Sequence, residues 1–175
     1  MTNSVPINFR FGQYELWRGG LPPRSDFEPV STLVEEFEGY SPTVNGDTIF
    51  AAAKTRSNGM YGLLGASFTP FDDTKLRVEV ATSGSDPTHP RQGINVRFAM
   101  SVMDAIIRLA TLGGEDLAVL GAGDLSFAYA NQHPVESSRR GFQRLALIVV
   151  WLLRPDIISL SKDELIDAFA YLRLP

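Results

Sequence analysis

This chain carries two histidines and no cysteine. One of the two opens the run His133-Pro134-Val135-Glu136-Ser137-Ser138-Arg139, which gathers an imidazole, a carboxylate, two hydroxyls and a guanidinium. His133 and Glu136 could hold a metal or pass a proton. No third ligand stands near them, however, and His89 lies far away in a Pro-rich loop. No metal site and no cofactor is therefore expected. Ser137 and Ser138 lack the Gly-x-Ser-x-Gly elbow that exposes a nucleophile, and two histidines leave little choice of base. The structural reading of the same residues is a helix start. Glu136 sits where negative charge favours the helix dipole, and Ser137 or Ser138 caps the first amides. Arg139 and Arg140, with Arg144 a turn later, form a small basic patch on that helix. A solvated helix face is its default reading. A local anion contact is the alternative, because the helix N-terminus adds partial positive charge.

Composition narrows the classes further. Hydrophobic residues are 44% and charged residues 21% of the 175, the make-up of one folded domain spanning residues 1–175. Such a chain can bury roughly two thirds of its unfolded surface. Without cysteine there are no disulfides and no thiol nucleophile, so a reducing compartment is compatible and a cytoplasmic location is expected. The longest apolar run, Leu145 to Leu153, is far short of a membrane span. The N-terminal Met-Thr-Asn-Ser-Val-Pro has no basic region ahead of an apolar core, so neither a membrane partner nor a secretory signal is expected. A net charge of −4 argues against broad phosphate neutralisation; DNA is not an expected partner, and any RNA contact must be local. No Gly-x-x-x-x-Gly-Lys-Ser/Thr occurs, and Gly121-Ala-Gly123 lacks the third glycine of a dinucleotide fingerprint.

The elements that position the run are read from periodicity. Leu125, Phe127 and Tyr129 alternate with Ser126 and Ala128, which predicts a strand ending just before Gln132 and His133. Ser138 to Leu153 then reads as a helix with Phe142, Leu145, Ala146, Val149 and Leu153 on one stripe, and Pro155 ends it. Val96 to Leu112 is the clearest helix, with Val96, Met100, Met103, Ile107 and Ala110 at helical spacing and Gly113-Gly114 as its stop. The two stripes are expected to pack together. Tyr61 to Phe68 and Lys75 to Thr82, separated by Pro70-Phe-Asp-Asp-Thr, have the grammar of a β-hairpin or meander. Ile7 to Trp17 predicts a strand bent at Gly12, and Val30 to Phe37 a short helix. Thr48 to Thr55 reads as a strand entering the turn Arg56-Ser-Asn58-Gly59, and Leu117 to Leu120 as another strand. Ser83 to Gly93 is the longest loop, and Ser161-Lys-Asp-Glu164 is a capping box opening a last helix through Leu172. The whole predicts an α+β fold, a mixed sheet with two long helices on one face, N-terminal strands and a C-terminal helix.

The junction from His133 to Ser138, with Phe142 beyond it, resembles the tip of domain IV of elongation factor G, where the family writes His-x-Val-Asp-Ser-Ser-x-x-x-Phe. Other landmarks follow the same order. Gly59-Met60-Tyr61-Gly62, with Pro70 after it, is similar to the family's Gly-Gln-Phe/Tyr-Gly and its later Pro. Gly84-Ser-Asp-Pro87 sits near a family Gly-x-x-Pro, and Ile107-Arg108-Leu-Ala110 with Gly114 resembles an Ile-Arg-x-Ala helix and its closing Gly. The resemblance covers residues 55–153 and implies a ribosomal protein S5 domain 2-like fold: a four-stranded sheet with two helices on one face. It also implies that the loops holding Gly59-Met60-Tyr61 and His133-Pro134-Val135 lie side by side, at the end the family inserts into the ribosomal decoding site. The chain departs from the pattern as well. Met60 replaces the family Gln, Glu136 its Asp and Arg139 its acidic residue, while Thr88 to Val96 is inserted. Residues 1–54 form an extension, and 154–175, with the last helix, have no counterpart; the GTPase engine is missing.

The expected function is that of a non-enzymatic binding module whose paired tip loops dock on a macromolecular partner. Arg56, Asn58, Met60 and Tyr61 in one loop and Gln132, His133, Glu136 and Arg139 in the other are the expected partner-binding residues, because loops held by a rigid sheet carry function. A protein partner is expected first, since the Met60 thioether packs on apolar surface and cannot read a base edge. The ribosome or a structured RNA comes second. Two alternatives stay open. One is an immunity or antidote protein that covers a basic partner with an acidic surface including Glu35, Glu36 and Glu38. The other is an RNA N-glycosidase: Glu136-Ser-Ser-Arg139 resembles the Glu-x-x-Arg of ribosome-inactivating enzymes, in which Arg protonates the leaving base and Glu stabilises the oxocarbenium ion. That family's base-stacking aromatics are not recognisable here.

Overall fold

The computed structural model describes residues 3–9, 12–23, 26–42, 46–57, 60–83, 92–133 and 135–172. Asn58, Gly59, Pro134, the segment Gly84–Pro87 and residues 88–91 of the expected insertion, His89 among them, lie outside them. Seven strands are described: β1 (Asn3–Phe9), β2 (Gly12–Arg18), β3 (Ser31–Glu38), β4 (Ile49–Ser57), β5 (Met60–Pro70), β6 (Lys75–Thr82) and β7 (Gly123–Asn131). They form one sheet in the order β1-β2-β4-β5-β7-β6-β3. Every pairing is antiparallel except that of β6 with β7, so the sheet is mixed. The helices are α1 (Val96–Thr111), α2 (Glu115–Leu120), α3 (Arg139–Leu152), α4 (Pro155–Ile158) and α5 (Lys162–Tyr171). The fold is α+β, with the two long helices α1 and α3 packed together on one sheet face.

Alternation along the strands builds that face. Leu64, Leu76, Val78, Leu125 and Phe127 are buried, whereas Arg77 between Leu76 and Val78 is exposed. α3 lies over β4 and β5, α1 lies over β6 and β3, and Phe98 stacks on Phe142 with ring centroids 5.0 Å apart where the helices meet. Gly62 lets α3 come close, since a Cβ there would sit 2.9 Å from Leu145 Cδ1. Residues of opposite phase, Trp17, Ala52 and Leu63, make a smaller cluster with Leu21 on the other face.

Several expectations are corrected. Val30 to Phe37 is not a helix: β3 runs from Ser31 to Glu38 at the sheet edge, and Leu33 and Phe37 stand opposite buried Val80 and Leu76. Those cross-strand pairs supply what the local sequence does not reveal. Leu117 to Leu120 is not a strand but most of α2. Leu117 and Leu120, at helical spacing, are both buried, and Glu115 and Asp116 in the first turn favour the dipole. Ile7 to Trp17 is not one bent strand, because β1 and β2 pair antiparallel with Phe9 opposite Gly12. β5 and β6 are not a hairpin, since β7 is inserted between them. The buried stripe of α1 is Phe98, Ala99, Val102, Met103 and Ile106, so Met100, 51% exposed, does not pack on α3. The helix carries two overlapping apolar stripes, and the sheet beneath selects between them.

The N-terminal strands are integral to the sheet: β2 pairs with β4 along Tyr14–Arg18. Arg18 also reaches the C-terminal end of the chain. Its Nη1 donates to the carbonyls of Ile157 at 2.8 Å, Leu160 at 2.7 Å and Ile158 at 3.3 Å, at and just beyond the end of α4, where helical carbonyls run short of donors; Ile157 also accepts from the Leu160 amide at 3.2 Å. α5 opens on the expected capping box, Ser161 with Glu164.

Candidate functional site

The turn between β4 and β5 and the connection between β7 and α3 meet at one end of the sheet. Ser137 makes the join. Its Oγ accepts from the His133 amide at 2.7 Å and donates to the Tyr61 carbonyl at 2.7 Å. The Tyr61 amide donates in turn to the Glu136 carbonyl at 3.0 Å. Tyr61 and His133 rings then meet edge to face, with centroids 6.2 Å apart. His133 Nδ1 accepts from the Val135 and Glu136 amides at 3.3 and 3.2 Å, so in the neutral ring the proton sits on Nε2. Ser138, the next hydroxyl, caps α3 by accepting from the Gly141 amide at 3.0 Å. Two adjacent serines thus divide the labour: one ties the loops, the other starts the helix.

The expected contact residues fall into three groups. Arg56, Glu136 and Arg139 are exposed, and Tyr61 and His133 are half-buried with their rings together. Asn58 lies outside the described residues. One residue is corrected. Gln132 is not presented to a partner: it is only 2% exposed, and its Oε1 accepts from the Asn95 amide at 2.9 Å, fastening the start of α1 to the end of β7. Met60 keeps part of its surface open, as Tyr61 and His133 do. It is half-buried beside the first turn of α3, where a Cβ on Gly141 would meet its Sδ at 3.2 Å.

No family model, curated protein or solved structure matches this chain. The site is therefore weighed on its own geometry. Among the described residues no three His, Asp or Glu side chains gather as metal ligands. Glu136 is not among the residues lining the cleft that Arg139 borders, so the two do not converge on one cavity there. Sequence reasoning missed three contributors. Ser137 was visible only as one of two cap candidates. Val135, 85% exposed, puts an aliphatic side chain at the very tip. Asn95, whose side chain accepts from the Phe98 amide at 3.1 Å, caps α1 and so places Arg97 beside the junction; an Asn just ahead of an apolar stripe was its signal.

A second surface lies at the β3 edge. Val34, 44% exposed, borders a cleft of about 240 Å³ with Leu33, Met100, Ile107, Glu35 and Asp104. Glu36 and Glu38 are held by Lys75 at 3.9 and 3.3 Å, and that proximity, led by the hydrogen bond Lys75 donates to Glu38, raises the Lys75 pKa.

Proposed function

We propose that the chain is a non-enzymatic binding module whose joined loops, at Arg56, Tyr61, His133, Val135, Glu136 and Arg139, form the contact surface for a macromolecular partner, with protein as the first candidate. The observation that carries this reading is the Ser137 bridge, which holds two loops distant in sequence in one arrangement before any partner arrives. Such pre-organisation lowers the ordering cost of binding. Exposed Val135 beside the Tyr61–His133 pair offers an apolar and aromatic centre with charged flanks, a pattern suited to a protein surface. The resemblance to domain IV of elongation factor G stays part of the proposal. It is supported by the element order β4-β5-β6-α1-α2-β7-α3, in which the short α2 is an addition, and by the neighbouring positions of the two loops. A ribosomal or RNA partner is the second candidate.

The β3 edge favours an alternative reading as an antidote-type protein, because exposed Val34 and Met100 lie beside Glu35 and Asp104 on a strand edge that no other described strand pairs. A pull-down from nuclease-treated and untreated lysate separates the readings. Tyr61→Ala with His133→Ala should abolish capture of a partner, while Glu35→Lys with Glu36→Lys should leave it intact. The opposite pattern would move the site to β3, and capture lost on nuclease treatment would make the partner a nucleic acid.

A further inference from the structure

Behind the tip, the N-terminal ends of α1 and α3 converge on a cleft of about 540 Å³. Arg97 from the first turn of α1 and Arg139 and Arg140 from the first turn of α3 line it. Among the described residues none of these three guanidiniums has an ion-pair partner, and no carboxylate lines the cleft. In a chain of net charge −4, three arginines without ion-pair partners, drawn from the starts of two helices, line one cleft; Arg139 and Arg140 also border the neighbouring groove that holds Asp116. Gln132 adds an independent observation. It is 98% buried and lines the cleft, its Oε1 is occupied by the Asn95 amide, and its Nε2 has no partner among the described residues. The only fully buried side-chain polar atom without a partner there is Thr55 Oγ1, so the Gln132 amide nitrogen is open to the cleft rather than sealed in the core. Ser138 accepts from Gly141 and keeps its own hydroxyl proton to donate.

We infer that this cleft is a binding site for the phosphate monoester group of a small molecule. A carboxylate has only about four lone-pair positions. Three guanidinium forks, an amide, a hydroxyl and the unsatisfied amides of two helix starts are better matched by the three terminal oxygens of a dianionic phosphate. The cleft volume also falls within the roughly 300–1,000 Å³ usual for small-ligand sites. The site shares Val135 and Arg139 with the proposed tip surface but does not depend on that reading.

The test is a titration of the full chain with inorganic phosphate, then glycerol 3-phosphate, followed by amide NMR at constant ionic strength. Saturable shifts confined to the amides of residues 96, 97, 139 and 140 and to the Gln132 side-chain amide are expected. Arg97→Gln and Arg140→Gln, both at exposed positions, should each weaken binding at least tenfold, while Arg108→Gln, outside the cleft, should not. Chloride should produce no saturable change. Linear shifts spread over the surface, or no response of the Gln132 amide, would overturn the inference. So would residue-specific binding of an oligoribonucleotide lacking a terminal phosphate when free phosphate does not bind. The wild-type titration decides by itself should either variant fail to fold.

Discussion

Ser137 Oγ sits 2.7 Å from the Tyr61 carbonyl and donates to it, although the two residues are separated by 76 positions. The same oxygen accepts from His133, so one half-buried hydroxyl satisfies a backbone acceptor on one loop and a backbone donor on the other. Few changes at this end of the sheet should cost more per atom removed.

Ser137→Ala is expected to lower stability by about 1–3 kcal/mol, since both backbone groups lose their partner in a partly buried setting. Urea titration measures the loss, and hydrogen exchange should show faster exchange at the His133 amide. Unchanged exchange there would mean that the hydroxyl does not hold the loops.

Phe142 is 1% exposed between α1 and the sheet and stacks on Phe98. Phe142→Ala should cost about 3–5 kcal/mol in a denaturant titration. A loss below about 1 kcal/mol would contradict its place in the core.

Thr55 Oγ1 is buried with no partner among the described residues. Replacing it with an apolar group of the same shape removes a desolvated hydroxyl that gains nothing in return. Thr55→Val should therefore raise the melting temperature, with a gain of about 1 kcal/mol. A fall would show that the hydroxyl is bonded in solution.

The pH response should have two signs. Hydrogen bonds from Arg154, at 2.7 and 3.0 Å, hold the Asp156 pKa below its ordinary 3.8. Its stabilising contribution is present above 3.8 and is lost as pH falls through the lower folded-state value. Asp156→Asn should thus be less stable than wild type at pH 7 and equal to it in strong acid. Burial, reinforced by Glu79 and Glu36 against the opposing pull of Arg77, raises the Asp124 pKa. Ionised Asp124 is therefore a penalty at neutral pH, and Asp124→Asn should be more stable there, with the gain fading in acid. Thermal melts at both pH values check each sign.

Arg18 links β2 to the end of α4 through three carbonyls. Arg18→Ala removes the side-chain donor these carbonyls share, leaving Ile157 only its local amide, and should cost about 1–3 kcal/mol, with proteolysis of the C-terminal helix accelerated first. Equal protease resistance in the variant would show that this link does not hold the C-terminal segment.

Local signals were legible and non-local ones were not. β7 and α3 could be read because alternation, a serine cap and a following Pro all lie within the segment itself. The capping box of α5 could be read for the same reason. β3 could not, because Leu33 and Phe37 fit a helix as well as a strand until Val80 and Leu76 stand opposite them. The exposed side of α1 depended on which of two stripes the sheet would cover. At the candidate site, the meeting of the two loops was legible only through the family resemblance, whereas the burial of Gln132 depends on Asn95 from another element.

The insertion of β7 between β5 and β6 sets an order in time. β5 and β6 are synthesised one after the other across the short turn 71–74, yet the strand that separates them arrives only after α1 and α2. Until then each has an open edge facing its neighbour, and the nearest pairing is a hairpin absent from the finished sheet. Parallel pairing of β6 with β7 closes late, because it spans a long stretch of chain. A β5–β6 hairpin formed before residue 131 is made would have to open again to admit β7, and an unfinished chain would carry both strand edges exposed, the condition that favours aggregation.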